Sequence, residues 1–114
     1  MNQKVTPEML TILRNELDLS TVIFALGVPW RRDDQKLRFI CPRCQGLDTS
    51  VHPTENLGRC FSCSSNYNPI DLAMMFQKSK FRTAVEWLLT LKKIAETDEG
   101  KVLLNRQAMR TQLK

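Results

Sequence analysis

Four cysteines, Cys41, Cys44, Cys60 and Cys63, fall in two Cys-x2-Cys pairs with fifteen residues between them. A thiolate can act as nucleophile, redox partner or metal ligand, and the spacing discriminates among these roles. Each pair can sit on one tight turn and aim two sulfurs at a common point. Two such turns at the ends of a hairpin form a tetrahedral cage that zinc accepts without geometric penalty. A redox dithiol calls for a single Cys-x-x-Cys opening a helix after a strand. Here there are two pairs, and the next helix start, Asn68, lies five residues past Cys63. Disulfides and redox chemistry are the rivals; an iron or iron–sulfur centre uses the same donors, with zinc the usual occupant of this spacing. The reading is a structural metal centre. A closed four-thiolate cage leaves no position for water or substrate, so its role is folding and not catalysis. Gly46, two residues after Cys44, is expected to supply a positive φ in the first knuckle. His52 lies between the pairs in a turn-prone "HPTEN" stretch and is expected to be a surface residue, not a ligand.

The elements that must position these thiols are legible in outline. Thr6-Pro7-Glu8 reads as a cap, a first-turn proline and an early acid, followed by Met9, Leu10, Leu13 and Leu17 at helical spacing. A second short helix is expected to open at Ser20 and stop at Gly27, with Pro29 forbidding continuation. From Lys36 onward "KLRFI", "TSVH" and "LGRC" read as small antiparallel strands. Asn68-Pro69-Ile70-Asp71 is a helix start, and that helix is expected to run to Gln77. Ser79 is expected to cap the next helix, whose Phe81, Ala84, Val85, Trp87, Leu88, Leu91 and Ile94 make a broad apolar face ending near Glu96. "TDEG" reads as a break, and "KVLLNRQAMRTQLK" as a last helix or a tail. The ribbon has few large apolar residues (Leu37, Phe39, Ile40, Val51, Leu57 and Phe61), so its folding is expected to lean on the metal. Zinc binding in finger peptides is worth ~10–16 kcal/mol, as much as a whole domain's usual stability of ~5–15 kcal/mol.

The 114 residues allow one domain with a modest core. No apolar run approaches a membrane span, and the N-terminus lacks the basic-then-apolar layout of a signal peptide. Four cysteines in a chain expected to be cytoplasmic favour metal over disulfides. The net charge of +5 suits a polyanion partner, although a solvated basic surface gives the same total. Residues 78–114 carry nine Lys or Arg against four acids, while residues 30–60 carry six against four.

Over residues 17–89 the chain resembles the zinc-binding domain of bacterial and phage DNA primases, the Cys-His-Cys-Cys finger. "CFSCSSNYNPIDLAM" is similar to the family's C-F-G-C-G followed by an Ile-Asp-Phe helix start, with Cys60, Phe61, Cys63, Ile70 and Asp71 on matching positions. "CPRC" resembles the family's C-P-x-H, "FRTAVEWL" its S-F-x-E-A-V-x-W-L helix, and "LDLSTVIFALGVPWRR" its leading helix, valine-proline and basic strand. Cys44 stands where the family has histidine. The family's Thr-Pro-Ser-Phe is replaced by "GLDTSVHP", and its small glycines after the last ligand, Cys63, by Ser64, Ser65 and Asn66.

The resemblance implies an α+β fold, a zinc ribbon packed with flanking helices, holding Zn2+. The expected organisation is a primase-like domain over residues 1–96 and a basic C-terminal helix or tail over 97–114. A primase polymerises through a separate domain with clustered carboxylates; here twelve acids are scattered, so the expectation is a recognition module and not an enzyme. The expected partner is single-stranded DNA in replication priming, which calls for cations along a groove with aromatic faces nearby. Arg31, Arg32, Lys36, Arg38, Arg43 and Arg59 surround the ribbon, with Phe61 either covering the metal or facing outward. Trp30, Phe39 and Trp87 are read as core. A second basic patch is Lys78, Lys80 and Arg82. The rival reading is a protein-interaction module docking on a replication polymerase, a primase catalytic subunit or a helicase.

Overall fold

The computed structural model describes residues 4–52 and 54–113. Met1, Asn2, Gln3, Pro53 and Lys114, which fall within the two expected segments, lie outside the described residues. In chain order the elements are α1 (Pro7–Asn15), α2 (Leu19–Leu26), β1 (Trp30–Asp33), β2 (Lys36–Phe39), β3 (Thr49–Val51), β4 (Gly58–Cys60), β5 (Asn66–Tyr67), α3 (Pro69–Gln77), α4 (Phe81–Ala95) and α5 (Asp98–Thr111). The five strands form one antiparallel sheet in sequence order, so each strand is placed by the turn before it. The fold is α+β, as expected.

The three middle strands stand on "KLRFI", "TSVH" and "LGRC". The first strand stands where the resemblance puts a basic strand. Its turn to β2 uses Asp34 and Gln35, both at positive φ (50° and 67°). Two consecutive left-handed residues make the hairpin turn whose twist matches the strands. The short β5 was not anticipated; it adds Tyr67 opposite Gly58.

Alternation sorts the sheet into two faces. Trp30, Phe39, Thr49 and Cys60 are direct cross-strand partners and all are buried against the helices, together with Leu37 and Tyr67. The core behind them is Leu13, Leu17, Leu19, Val22, Ile23, Leu72, Val85 and Leu88. Trp30 and Phe39 are thus core residues. Trp87 is only half-buried, because it lies toward an open groove that it lines with Ala25, Ile94 and Leu103.

The caps follow the sequence closely. Thr6 accepts the Met9 N–H at 3.2 Å. At Asn68 a full capping box forms, with Asp71 N–H donating to Asn68 and Asn68 N–H donating to Asp71. Gly27 closes α2 at φ 72°. Two details differ. Helix α2 opens at Leu19, one residue earlier than expected. Its N-cap is Asp18, whose side chain makes no capping bond. The cap of α4 is Lys80 and not Ser79; the Ser79 N–H donates to Met74 O at 3.1 Å at the end of α3.

The stretch read as a break is a helix start. Thr97 accepts the Gly100 N–H at 2.9 Å, with Asp98 and Glu99 in the first turn of α5. Helix α5 packs on α2 and α4 and returns to the first strand. There the Trp30 indole N–H donates to Ala108 O at 2.9 Å, and the Leu113 N–H donates to Trp30 O at 2.6 Å. No described helix is long and apolar enough to cross a membrane.

Candidate metal centre and open sheet face

Each cysteine pair sits on a knuckle built from the same hydrogen bonds. In the first, the Gln45 N–H donates to Cys41 O at 3.0 Å and the Cys41 N–H donates to Gly46 O at 2.9 Å. In the second, the Ser64 N–H donates to Cys60 O and the Cys60 N–H to Ser65 O, both at 2.9 Å. The residue directly after the second cysteine is left-handed in each, Gln45 at φ 63° and Ser64 at φ 61°. The positive φ therefore falls on Gln45, one residue before the expected Gly46. A link between the two loops comes from Ser62, whose hydroxyl donates to Asp48.

The four sulfurs lie within 4.8 Å of one another, and none is in a disulfide. Cys41 and Cys63 Sγ are 3.7 Å apart, and Cys44 and Cys60 Sγ are 3.6 Å apart. A tetrahedral zinc with Zn–S of about 2.3 Å requires sulfurs about 3.8 Å apart. The donor set fits the metal: four soft ligands within 4.8 Å of one another, two of the pairs at the edge length of such a tetrahedron. Cys41 and Cys60 are buried beneath the sheet, while Cys44 and Cys63 are exposed.

Hydrogen bonds around Cys41 and Cys63 favour the thiolate that a metal needs. Burial raises the Cys41 pKa, but the Cys44 N–H, the Tyr67 hydroxyl at 3.0 Å, the Arg43 N–H at 3.4 Å and Cys63 outweigh it and bring it down to about 6. The Ser65 hydroxyl, 3.3 Å from Cys63, holds that thiol below its usual value against burial. Cys44 receives the Gly46 N–H, yet Cys60, burial and the Cys41 charge push it up to about 11. Metal-free, the cluster does not hold four negative charges at neutral pH; a divalent cation removes that conflict. Tyr67, buried and raised by burial and by its bond to Cys41, is a phenol donor to the sulfur. It is a supporting residue that the sequence reading missed.

His52 does not join the cluster. Its Nδ1 accepts the N–H groups of Thr54 and Glu55 at 3.2 and 3.0 Å, closing the loop after β3.

The outer face of the sheet carries the expected basic residues in a row. Arg31 pairs with Arg38, Arg38 with Ser50, Ser50 with Arg59, and Arg59 with Asn66, one residue from each strand in turn. Lys36 shares this face at the end of the hairpin. Asp33 offsets part of the charge, 3.6 Å from Arg38 and 3.9 Å from Arg31. Arg43 and Phe61 sit in the two knuckles, both exposed, Phe61 at 64%. Arg32 is not brought to the row: by alternation it shares the face of Trp30, and its guanidinium stacks over that ring at 5.8 Å. In the second patch Lys78 is the left-handed C-cap of α3 and Lys80 the N-cap of α4, while Arg82 lies 3.6 Å from Glu86.

No curated protein and no solved structure matches the chain. Residues 5–103, from just before α1 into α5, match the model of the CHC2 zinc finger, the zinc ribbon of DnaG primase. The match covers both knuckles, all five strands and the helices behind them, so the chain belongs to the CHC2 zinc finger family and its metal is Zn2+.

Proposed function

We propose that this chain is a recognition module of replication priming that holds single-stranded DNA across the open face of its sheet. In this reading Cys41, Cys44, Cys60 and Cys63 are the four zinc ligands, and the metal acts by fixing the two knuckles and not by chemistry on a substrate. Arg31, Lys36, Arg38 and Arg59 meet phosphates, with Arg43 and Phe61 at the knuckle edge, where an exposed ring can stack on a base. The observation that carries the reading is the row of one residue per strand that aligns the cations Arg31, Arg38 and Arg59, with Ser50 and Asn66 between and beside them, on the face opposite the buried core.

The test is the salt dependence of binding to an oligothymidylate. With about five phosphates neutralised at about −0.7 each, the log–log slope is near −3.5, roughly a hundredfold loss between about 50 and 200 mM salt. Replacing Arg38 and Arg43 with glutamine should flatten the slope, and replacing Arg106 and Arg110 in α5 should not. The opposite ranking moves the strand to α5, and no binding at low salt with zinc in place removes the reading.

One observation favours the alternative, a protein-interaction module. Val102, Leu103 and Met109 of α5 are at least half exposed. Association of the purified chain with a replication polymerase, primase catalytic subunit or helicase, lost on replacing Leu103 and Met109 and accompanied by no DNA affinity, would favour it.

A further inference from the structure

Among the described residues, two buried polar atoms on the open face have no hydrogen-bond partner: Ser50 Oγ and Arg38 Nε. They belong to direct cross-strand neighbours in the middle of the row. Ser50 is only 7% exposed, although it faces outward, and it stands between Arg38 and Arg59. Asp33 Oδ2 is 3.6 Å from Arg38 Nε, an ion pair beyond hydrogen-bond reach. On the other side Arg59 donates from Nη1 to Asn66 Oδ1 at 3.1 Å, which holds its guanidinium in place and leaves its other N–H groups available. Buried donors are normally satisfied, so an unpartnered hydroxyl beside an unpartnered guanidinium nitrogen marks a place where a ligand completes the set. The other buried hydroxyls without partners are Thr49, on the inner face, and Ser79, between Lys78 and Lys80 at the α3–α4 junction.

We infer that Ser50, flanked by Arg38 and Arg59, is a seat for one phosphate group of the bound strand. The inference rests on the single-strand reading above and deepens it. The Arg38 Nε–H and the Arg59 guanidinium can only donate, and the Ser50 hydroxyl can donate as well. An acceptor-only anion satisfies all three, and a phosphate oxygen accepts from several such donors at once. A lone carboxylate meets the same donors. The phosphate of a strand is favoured because further cations, Arg31 and Lys36, continue along the same face, as suits a polymer with one charge per unit.

The seat separates from the general field because the hydroxyl carries no charge. For Ser50→Ala, affinity for a zinc-loaded complex with a twelve-nucleotide oligothymidylate should fall about tenfold with the salt slope unchanged. Arg38→Gln should also weaken binding, with the slope reduced by about 0.7. The Ser50→Ala protein should melt no lower than the parent, since the lost hydroxyl has no partner in the fold; a lower midpoint would show a structural role and overturn the seat. Inorganic phosphate at fixed ionic strength should compete with the oligonucleotide more strongly on the parent protein than on Ser50→Ala. Oligonucleotides with and without a 5′-phosphate distinguish the source. A Ser50-dependent gain from the added group assigns the seat to a strand end, and an equal loss on both assigns it to an internal phosphodiester. Parent binding with no effect of Ser50→Ala overturns the seat alone, whereas no parent binding at low salt overturns the single-strand reading beneath it.

Discussion

The Tyr67 hydroxyl lies 3.0 Å from the Cys41 sulfur, and both residues are buried beneath the ribbon. The contact spans the sheet's far strand and the first knuckle, so it ties β5 to the metal site. Outer groups that hydrogen-bond a metal ligand orient it and tune its charge, and losing one usually costs ~10–100-fold in affinity. Tyr67→Phe removes only the hydroxyl and keeps the ring in the core. One zinc per chain should remain, with affinity lowered by about that factor in competition with a chromophoric chelator. Unchanged affinity would make the contact incidental.

Cys44 stands where the family has histidine, and its sulfur is on the exposed side of the cluster. An imidazole nitrogen is as good a zinc donor and carries no charge when neutral. Cys44→His should retain one zinc per chain by metal analysis, and Cys44→Ala should lose it. His52→Ala should leave the metal content untouched, because the His52 Nδ1 is committed to the N–H groups of Thr54 and Glu55. Zinc loss in the His52 variant would mean that one of the four thiols is not a ligand.

Asn56 caps α2 from a distance. Its carboxamide oxygen accepts the Leu19 N–H at 2.8 Å, doing what the Asp18 side chain does not. Its NH2 donates to Arg14 O at 2.9 Å and to Leu17 O at 2.5 Å, closing the end of α1. One side chain in the β3–β4 loop thus fixes the junction of two helices. Asn56→Ala should cost about 2 kcal/mol, roughly 8 °C in thermal midpoint. Asn56→Asp keeps the acceptor but sets a carboxylate against two carbonyls, so it should fall comparably. A midpoint within 2 °C of the parent for both variants, taking ~2 °C as an ordinary surface effect, would remove this role.

The thiol cluster and the caps of α1 and α3 were legible in the sequence because both are local: a ligand pair sits on one turn, and a cap reaches three residues. The row of cations was legible only as composition. Arg31, Arg38, Ser50 and Arg59 have no common spacing, and only the strand register aligns them. The same holds for Arg32, which looked equivalent to Arg31 but alternates to the opposite face. The left-handed residue of the first knuckle was sought at Gly46 and lies on Gln45, and Ser64 takes the same place in the second, each held by the hydrogen bonds on both sides of it. Contacts such as Trp30 with Ala108, 78 residues apart, leave no trace in any local pattern.

Gly100 supplies the last test, one in which the usual sign reverses. Alanine for glycine inside a helix ordinarily stabilises by about 1 kcal/mol, through backbone entropy. Gly100 lies in the first turn of α5, where a Cβ would sit 1.8 Å from Ile94 O and 2.6 Å from Ile94 C. Those are backbone atoms at the end of α4, so no side-chain rotation relieves the clash, and α5 must shift away. The shift is transmitted along α5 to the bonds it makes with Trp30. Gly100→Ala should therefore lower stability by about 3 kcal/mol, the upper end for an overpacked site, and redden the Trp30 emission as its indole loses the Ala108 carbonyl. Zinc stoichiometry should hold at one, because the knuckles lie on the ribbon and not on this helix. A higher midpoint in Gly100→Ala would show that α5 does not approach the end of α4 this closely.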